Sequence, residues 1–199
     1  MIFTSPAFLL FLLGSLILYG IVPKSNRWLV LLTASYCFYA WWNWQALWVL
    51  AGITLVSYAA ARQMQTLTTP QARKTWLSVG VLSTLGSLLV FKYFNYSLVV
   101  ANNLFHWRDQ AALPLLEMAA PLGISFFTLQ VFAYLVDVYR GQVKAETHLG
   151  KYALSVAFFP QVVAGPITRI NKLLPQIRQP KTTIPTHIYT GLFRILWGG

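Results

Sequence analysis

Acidic side chains are scarce in this chain: four Asp and Glu stand against 15 Lys and Arg in 199 residues, and charged residues of both signs make up only 10%. A soluble domain carries about 25% charged residues, so this one cannot cover itself with polar surface. Cysteine is almost missing. The single Cys37 lies inside an apolar run, which excludes a disulfide framework and a cysteine-rich metal site. Gly-x-Ser-x-Gly, His-Glu-x-x-His and phosphate-loop patterns are all lacking, which removes the common soluble hydrolase, zinc-protease and nucleotide-binding chemistries.

What is present is apolar sequence in charge-free runs: 1–22, 28–61, 75–91, 118–136 and 152–168. A hydrocarbon core about 30 Å thick takes about 20 apolar residues per helix, so these runs predict an all-α, polytopic transmembrane protein with a single membrane domain over 1–199. The run from Trp28 to Ala61 is too long for one crossing, since a helix of that length would measure about 50 Å. It is expected to fold back at Trp41-Trp42-Asn43-Trp44, with Arg27 snorkelling to lengthen the first half. Tyr36, Phe38, Tyr39, Trp41, Trp42, Trp44 and Trp48 read as an interface belt and helix packing. Ser5-Pro6 reads as a cap and first residue of a retained helix rather than part of a cleaved signal.

The net charge of +11 does not point to nucleic acid, because the basic residues sit in short loops between apolar runs. Their distribution predicts topology instead. Lys24 and Arg27 place the first loop in the cytoplasm, as Arg62, Arg73 and Lys74 do for the third, with the N-terminus outside and four crossings by about Tyr96. The stretch 102–117, with Arg108, Asp109 and Glu117, suits the outer side, and Lys92 precedes it near the outer end of the fourth helix. Asp137, Arg140, Lys144, Glu146, His148 and Lys151 return the chain to the inside. Residues 152–168 then have basic flanks at both ends, continuing with Arg169, Lys172, Arg178 and Lys181. A re-entrant or broken segment fits better than a crossing, interrupted by Pro160 and Gly165-Pro166. Irregular backbone at membrane depth must line a cavity or be buried in protein, so this segment is expected to line a funnel open to the cytoplasm.

Two stretches carry a recognisable pattern: Pro121-Leu-Gly-Ile-Ser-Phe-Phe-Thr-Leu-Gln130, continuing through Tyr134-Leu-Val-Asp-Val-Tyr-Arg-Gly141, and Phe158-Phe-Pro-Gln-Val-Val-Ala-Gly-Pro-Ile-Thr-Arg169. Together with Ser35 to Trp42 and Phe91-Lys-Tyr-Phe-Asn95, they resemble the membrane-bound O-acyltransferase (MBOAT) family, in particular its alginate O-acetylation branch. The resemblance implies the N-terminal part of a longer domain in the bacterial cytoplasmic (inner) membrane. It further implies transfer of an acyl, in this branch acetyl, group to hydroxyls of an exported polysaccharide or to a periplasmic acetyl-transfer partner protein. The donor would be acetyl-coenzyme A or an acyl carrier protein, used as substrate, with no bound cofactor and no metal. The rim of Arg140, Lys144, Lys151, Arg169 and Lys172 suits such an anionic donor.

The candidate funnel-lining residues are Asp137, Arg140, Pro160, Gln161, Gly165, Pro166 and Arg169. Asp137 and Arg140, three apart, share a helix face and read either as an ion pair ending the helix or as a charged cytoplasmic mouth. Arg169 reads as an inside anchor or as a phosphate ligand. Gln130 is expected to bond a neighbouring helix. Acyl transfer to a hydroxyl needs a base, and the family's histidine lies beyond the matched segment. His106, His148 and His187 therefore read as loop or interface residues, and the catalytic residue is unknown. The pattern in 182–199, with Arg194, ends in mid-domain, so the chain is expected to be a fragment inactive by itself. A noncatalytic scaffold or transporter-like subunit is the other reading, since broken helices around a cavity also describe transporters.

Overall fold

The computed structural model describes residues 6–105, 121, 123–164, 168–179 and 190. Ser5, the stretch holding His106, Arg108, Asp109 and Glu117, Gly165 and Pro166, Lys181, His187 and Arg194 lie outside the described residues.

Every regular element among the described residues is helical. Helix α1 (Pro6–Ile21) begins at a proline, whose fixed φ suits a first position. A short 3-10 turn (Lys24–Asn26) leads into α2 (Arg27–Trp42). The expected fold-back occurs at Asn43, which ends α2 in an extended conformation and caps α3 (Trp44–Thr66), its side-chain oxygen accepting from the N–H groups of Gln45 at 2.8 Å and Ala46 at 3.4 Å. Trp41, Trp42, Trp44 and Trp48 are exposed around this turn, while Phe38 and Tyr39 are buried.

Helix α4 (Pro70–Leu88) continues through a π-helical segment (Leu89–Phe94) into α5 (Asn95–Phe105). The helix expected to make the fourth crossing is thus longer than expected: apolar helix runs over Pro70–Ala101, 32 residues. Lys92 falls within the π segment and donates to Ser125 at 3.2 Å rather than marking a helix end.

Helix α6 (Ile124–Tyr139) starts after Gly123, whose φ of +67° ordinary side chains avoid. The segment expected to be broken is broken. Helix α7 (Leu149–Ala157) has 9 residues, about 14 Å, which is too short to span. Phe158 interrupts it before α8 (Phe159–Ala164), and α9 (Ile170–Arg178) follows. The break precedes Pro160, which sits in the first turn of α8. A proline there would clash with the carbonyl of Val156 if α7 ran on, so the chain turns out of helix first.

The polarity is that of a membrane protein. Leu10, Leu13, Leu16, Ile17 and Ile21 of α1, and Leu82 of α4, are all more than half exposed. Ser35, Thr54, Ser57, Thr84 and Thr128 are buried, and return their hydroxyls to backbone carbonyls of the preceding turn. Water would penalise the first set heavily, whereas lipid accepts it and demands the second arrangement.

Helices α3, α4 and α6 pack together, and α7 is wedged against α2, α3 and α9. Gly80 makes the first contact possible: a Cβ there would come within 2.8 Å of Leu135 and 3.1 Å of Ala60. The wedge is held by a buried Ser57 to Tyr152 hydroxyl bond of 2.8 Å and by Ser35 accepting from the N–H of Phe159 at 3.3 Å.

Candidate functional site

A cavity of about 490 Å³ opens between the α1–α2 connection and the α8–α9 region. Tyr19, Arg27 and Trp28 form one wall, and Gln161, Thr168 and Gln176 form part of the other. The guanidinium of Arg27 is fixed by donating to the carbonyl of Val22 at 3.2 Å and lying 4.9 Å from the centre of the Tyr19 ring. Trp28 is held edge-on against His148, ring centres 4.6 Å apart, and lies directly over Gly150, where a Cβ would collide with its ring. His148 caps α7, its Nδ1 accepting from the N–H of Lys151 at 3.4 Å, so its role in the structure is positional.

Behind this cavity is a knot of amides. Gln130, 1% exposed in mid α6, donates to the carbonyls of Thr168 at 2.9 Å and Ser155 at 3.4 Å, tying the broken segment to a continuous helix as expected. Gln161 donates to the Thr168 hydroxyl at 3.1 Å. The side-chain oxygens of Gln130, Gln161 and Asn171 are buried and unpartnered. An unmet acceptor costs about 1–3 kcal/mol, so these three favour ligand or solvent groups that donate hydrogen bonds.

Of the expected lining residues, Gln161 reaches this cavity. Asp137 is buried on α6 and accepts from Asn171 at 3.3 Å, with the Arg169 guanidinium 4.0 Å away. This corrects the pairing read from spacing: Arg140 does not meet Asp137. It follows the last residue of α6 and is exposed, while Gly141, at φ +73°, turns the chain away. Pro160 is exposed at the start of α8.

Sequence reasoning missed the pair that organises this end of the protein. Glu146 is 2% exposed and its Oε2 receives two hydrogen bonds from Arg178, at 2.6 and 2.9 Å. Its Oε1 accepts from the N–H groups of Thr147 and His148. Burial alone would raise the carboxyl's pKa, but the His148 N–H, the Arg178 hydrogen bond and charge, and the Thr147 N–H outweigh it and hold it below the usual carboxylate range. The available signal was scarcity, because a chain with so few acids has little use for one in a basic loop unless it is paired. Among the described residues, no three His, Cys, Asp or Glu side chains come together to hold a metal ion.

This chain is similar to curated proteins along most of its length. It is 36% identical over 186 residues to the Pseudomonas aeruginosa protein named "Probable alginate O-acetylase AlgI", covering 92% of this chain and 36% of that one. The Azotobacter vinelandii protein of the same name is 36% identical over 186 residues, covering 92% and 37%. The "Peptidoglycan O-acetyltransferase" of Helicobacter pylori is 33% identical over 175 residues, covering 76% and 32%. The chain therefore spans about a third of the length of these relatives. No family model and no solved structure matches it. On the similarity to these relatives, the chain belongs to the membrane-bound O-acyltransferase family.

Proposed function

We propose that this chain forms the donor-side part of an enzyme that O-acetylates an exported polysaccharide. The observation that carries the reading is the cavity between α2 and the broken α7–α8–α9 segment, in a chain similar over 92% of its length to proteins named alginate O-acetylase. Its fixed Arg27 provides positive charge, and among the described residues its wall contains no Asp or Glu to oppose an anionic donor. Acetyl-coenzyme A and acidic acyl carriers share that chemistry. Gln161, Thr168 and Gln176 add polar groups to the lining.

In this reading the protein lies in the bacterial inner membrane as a multi-pass protein with its N-terminus outside. The α1–α2 and α3–α4 connections and the loop around Glu146 face the cytoplasm. In the same reading the proton of the acceptor hydroxyl is taken by a histidine outside the matched segment, and the longer relatives have length that this chain does not cover. A donor entering from one side and an acceptor from the other react without either crossing.

The test is transfer of labelled acetyl groups from acetyl-coenzyme A to polysaccharide in membranes carrying the whole gene product. Arg27→Ala is expected to raise KM for the donor with little change in kcat. Undiminished donor affinity in both Arg27→Ala and Gln161→Leu would remove the cavity from the mechanism.

A further inference from the structure

A second cavity, of about 260 Å³, lies where the α3–α4 and α6–α7 connections meet. Arg73 and Lys144 line it, with Gln65, Leu67 and Gly141. Arg73 is immobilised by Tyr139: one Nη donates to its carbonyl at 2.7 Å and the guanidinium lies 5.5 Å from its ring centre. Yet the Nε of Arg73 is buried and has no hydrogen-bond partner. A buried donor on a charged group is costly to leave unmet.

No described carboxylate is left to answer it. Asp137 is engaged by Asn171 and Arg169, and Glu146 by Arg178. The Gln65 oxygen already accepts from the N–H of Ala145 at 2.8 Å. The lining thus offers two cations and one unmet donor. Thr69 makes no side-chain cap to α4, so the partial positive charge of that first turn adds to the same end.

We propose that this cavity binds a phosphate group. The guanidinium of Arg73, held in place by Tyr139, can offer its other Nη to a phosphate oxygen, with Lys144 as a point charge. Sites for drug-sized ligands begin at about 300 Å³, so the space suits a headgroup rather than a whole nucleotide cofactor. The phosphate belongs either to a membrane phospholipid or to free inorganic phosphate. The site is separate from the Arg27 cavity and does not depend on the acetyl-transfer reading.

The experiment uses the purified protein in detergent. Retention of phosphatidylglycerol against phosphatidylcholine is followed by native mass spectrometry, and inorganic phosphate is titrated by phosphorus NMR and as a competitor. Lys144→Gln, at an exposed residue, is expected to weaken binding about tenfold, or roughly 1.4 kcal/mol. Lys74→Gln, which removes the same charge at an exposed residue outside the lining, is expected to leave it unchanged. Retention of phosphatidylglycerol that inorganic phosphate displaces identifies a lipid headgroup, and phosphate binding without lipid retention identifies the free ion. Binding of neither, or equal weakening by Lys74→Gln and Lys144→Gln, overturns the proposal.

Discussion

Glu146 and Arg178 stand 32 residues apart in the chain and meet through two hydrogen bonds, at 2.6 and 2.9 Å, on one carboxylate oxygen. The contact ties α9 to the loop that leads into α7, and so sets the spacing of the wall that faces Arg27 and Trp28. Three features of the site follow from it or rest beside it, and each can be tested.

Arg178→Ala strands a buried carboxylate. With the arginine side chain 49% exposed, the loss is expected to be about 1–3 kcal/mol. A chain of this size loses about 2–4 °C of Tm per kcal/mol. Arg169→Ala is the comparison, since its partner is 4.0 Å away and its side chain is 62% exposed, which is worth about 0–1 kcal/mol. Equal Tm losses in the two variants, measured by thermal melting in detergent, would mean that burial is not what separates the pairs.

The same carboxyl sets an acid limb. Its pKa is lower folded than unfolded, so its contribution is complete above the unfolded value, about 4.3. It is lost as pH falls through the lower, folded value. Glu146→Gln should reduce stability at neutral pH and flatten the decline in Tm as pH falls below the ordinary carboxylate range. A variant that kept the full acid slope would assign that slope to other groups.

Gly150 permits Trp28 to lie against α7 and form a cavity wall. On the proposed function, Gly150→Val in the whole gene product should push the indole into the cavity and raise KM for the acyl donor several-fold, with kcat little altered. Gly52→Ala, where a Cβ meets nothing within 4 Å, should be silent toward the donor and more stable by about 0.5–1 kcal/mol. A donor KM unmoved by Gly150→Val would show that the wall position is irrelevant to the donor.

Topology is open to a direct test in a Cys37→Ser background. Gln45→Cys, beside the tryptophan turn, and Gln71→Cys, at the start of α4, are both exposed. A membrane-impermeant thiol reagent applied outside intact cells is expected to label Gln45→Cys alone. Labelling of both, or of Gln71→Cys alone, would contradict the proposed orientation.

Local pattern carried far into this structure, and then stopped at particular residues. The fold-back at Asn43 was legible because the run around it exceeds the bilayer and a capping residue interrupts it among tryptophans. The break in the segment after Glu146 was legible from Pro160 and the basic flanks, although the chain leaves helix at Phe158, two residues sooner. Asp137 and Arg140 show the limit. Their spacing suits a shared helix face, but α6 ends between them and the carboxylate turns to α9.

Composition and the order of apolar and basic residues by themselves determined that this is a helical membrane protein, where its longest apolar run folds back, and that one segment is interrupted. These follow from solvation and backbone sterics, which act over a few residues. Tertiary structure alone decided which cation meets which acid, that Gln130 reaches Thr168, and that Arg27 and Gln161 face one cavity. Those contacts join residues brought together only when α7 and α9 pack against the other helices, and no local period in the chain encodes them.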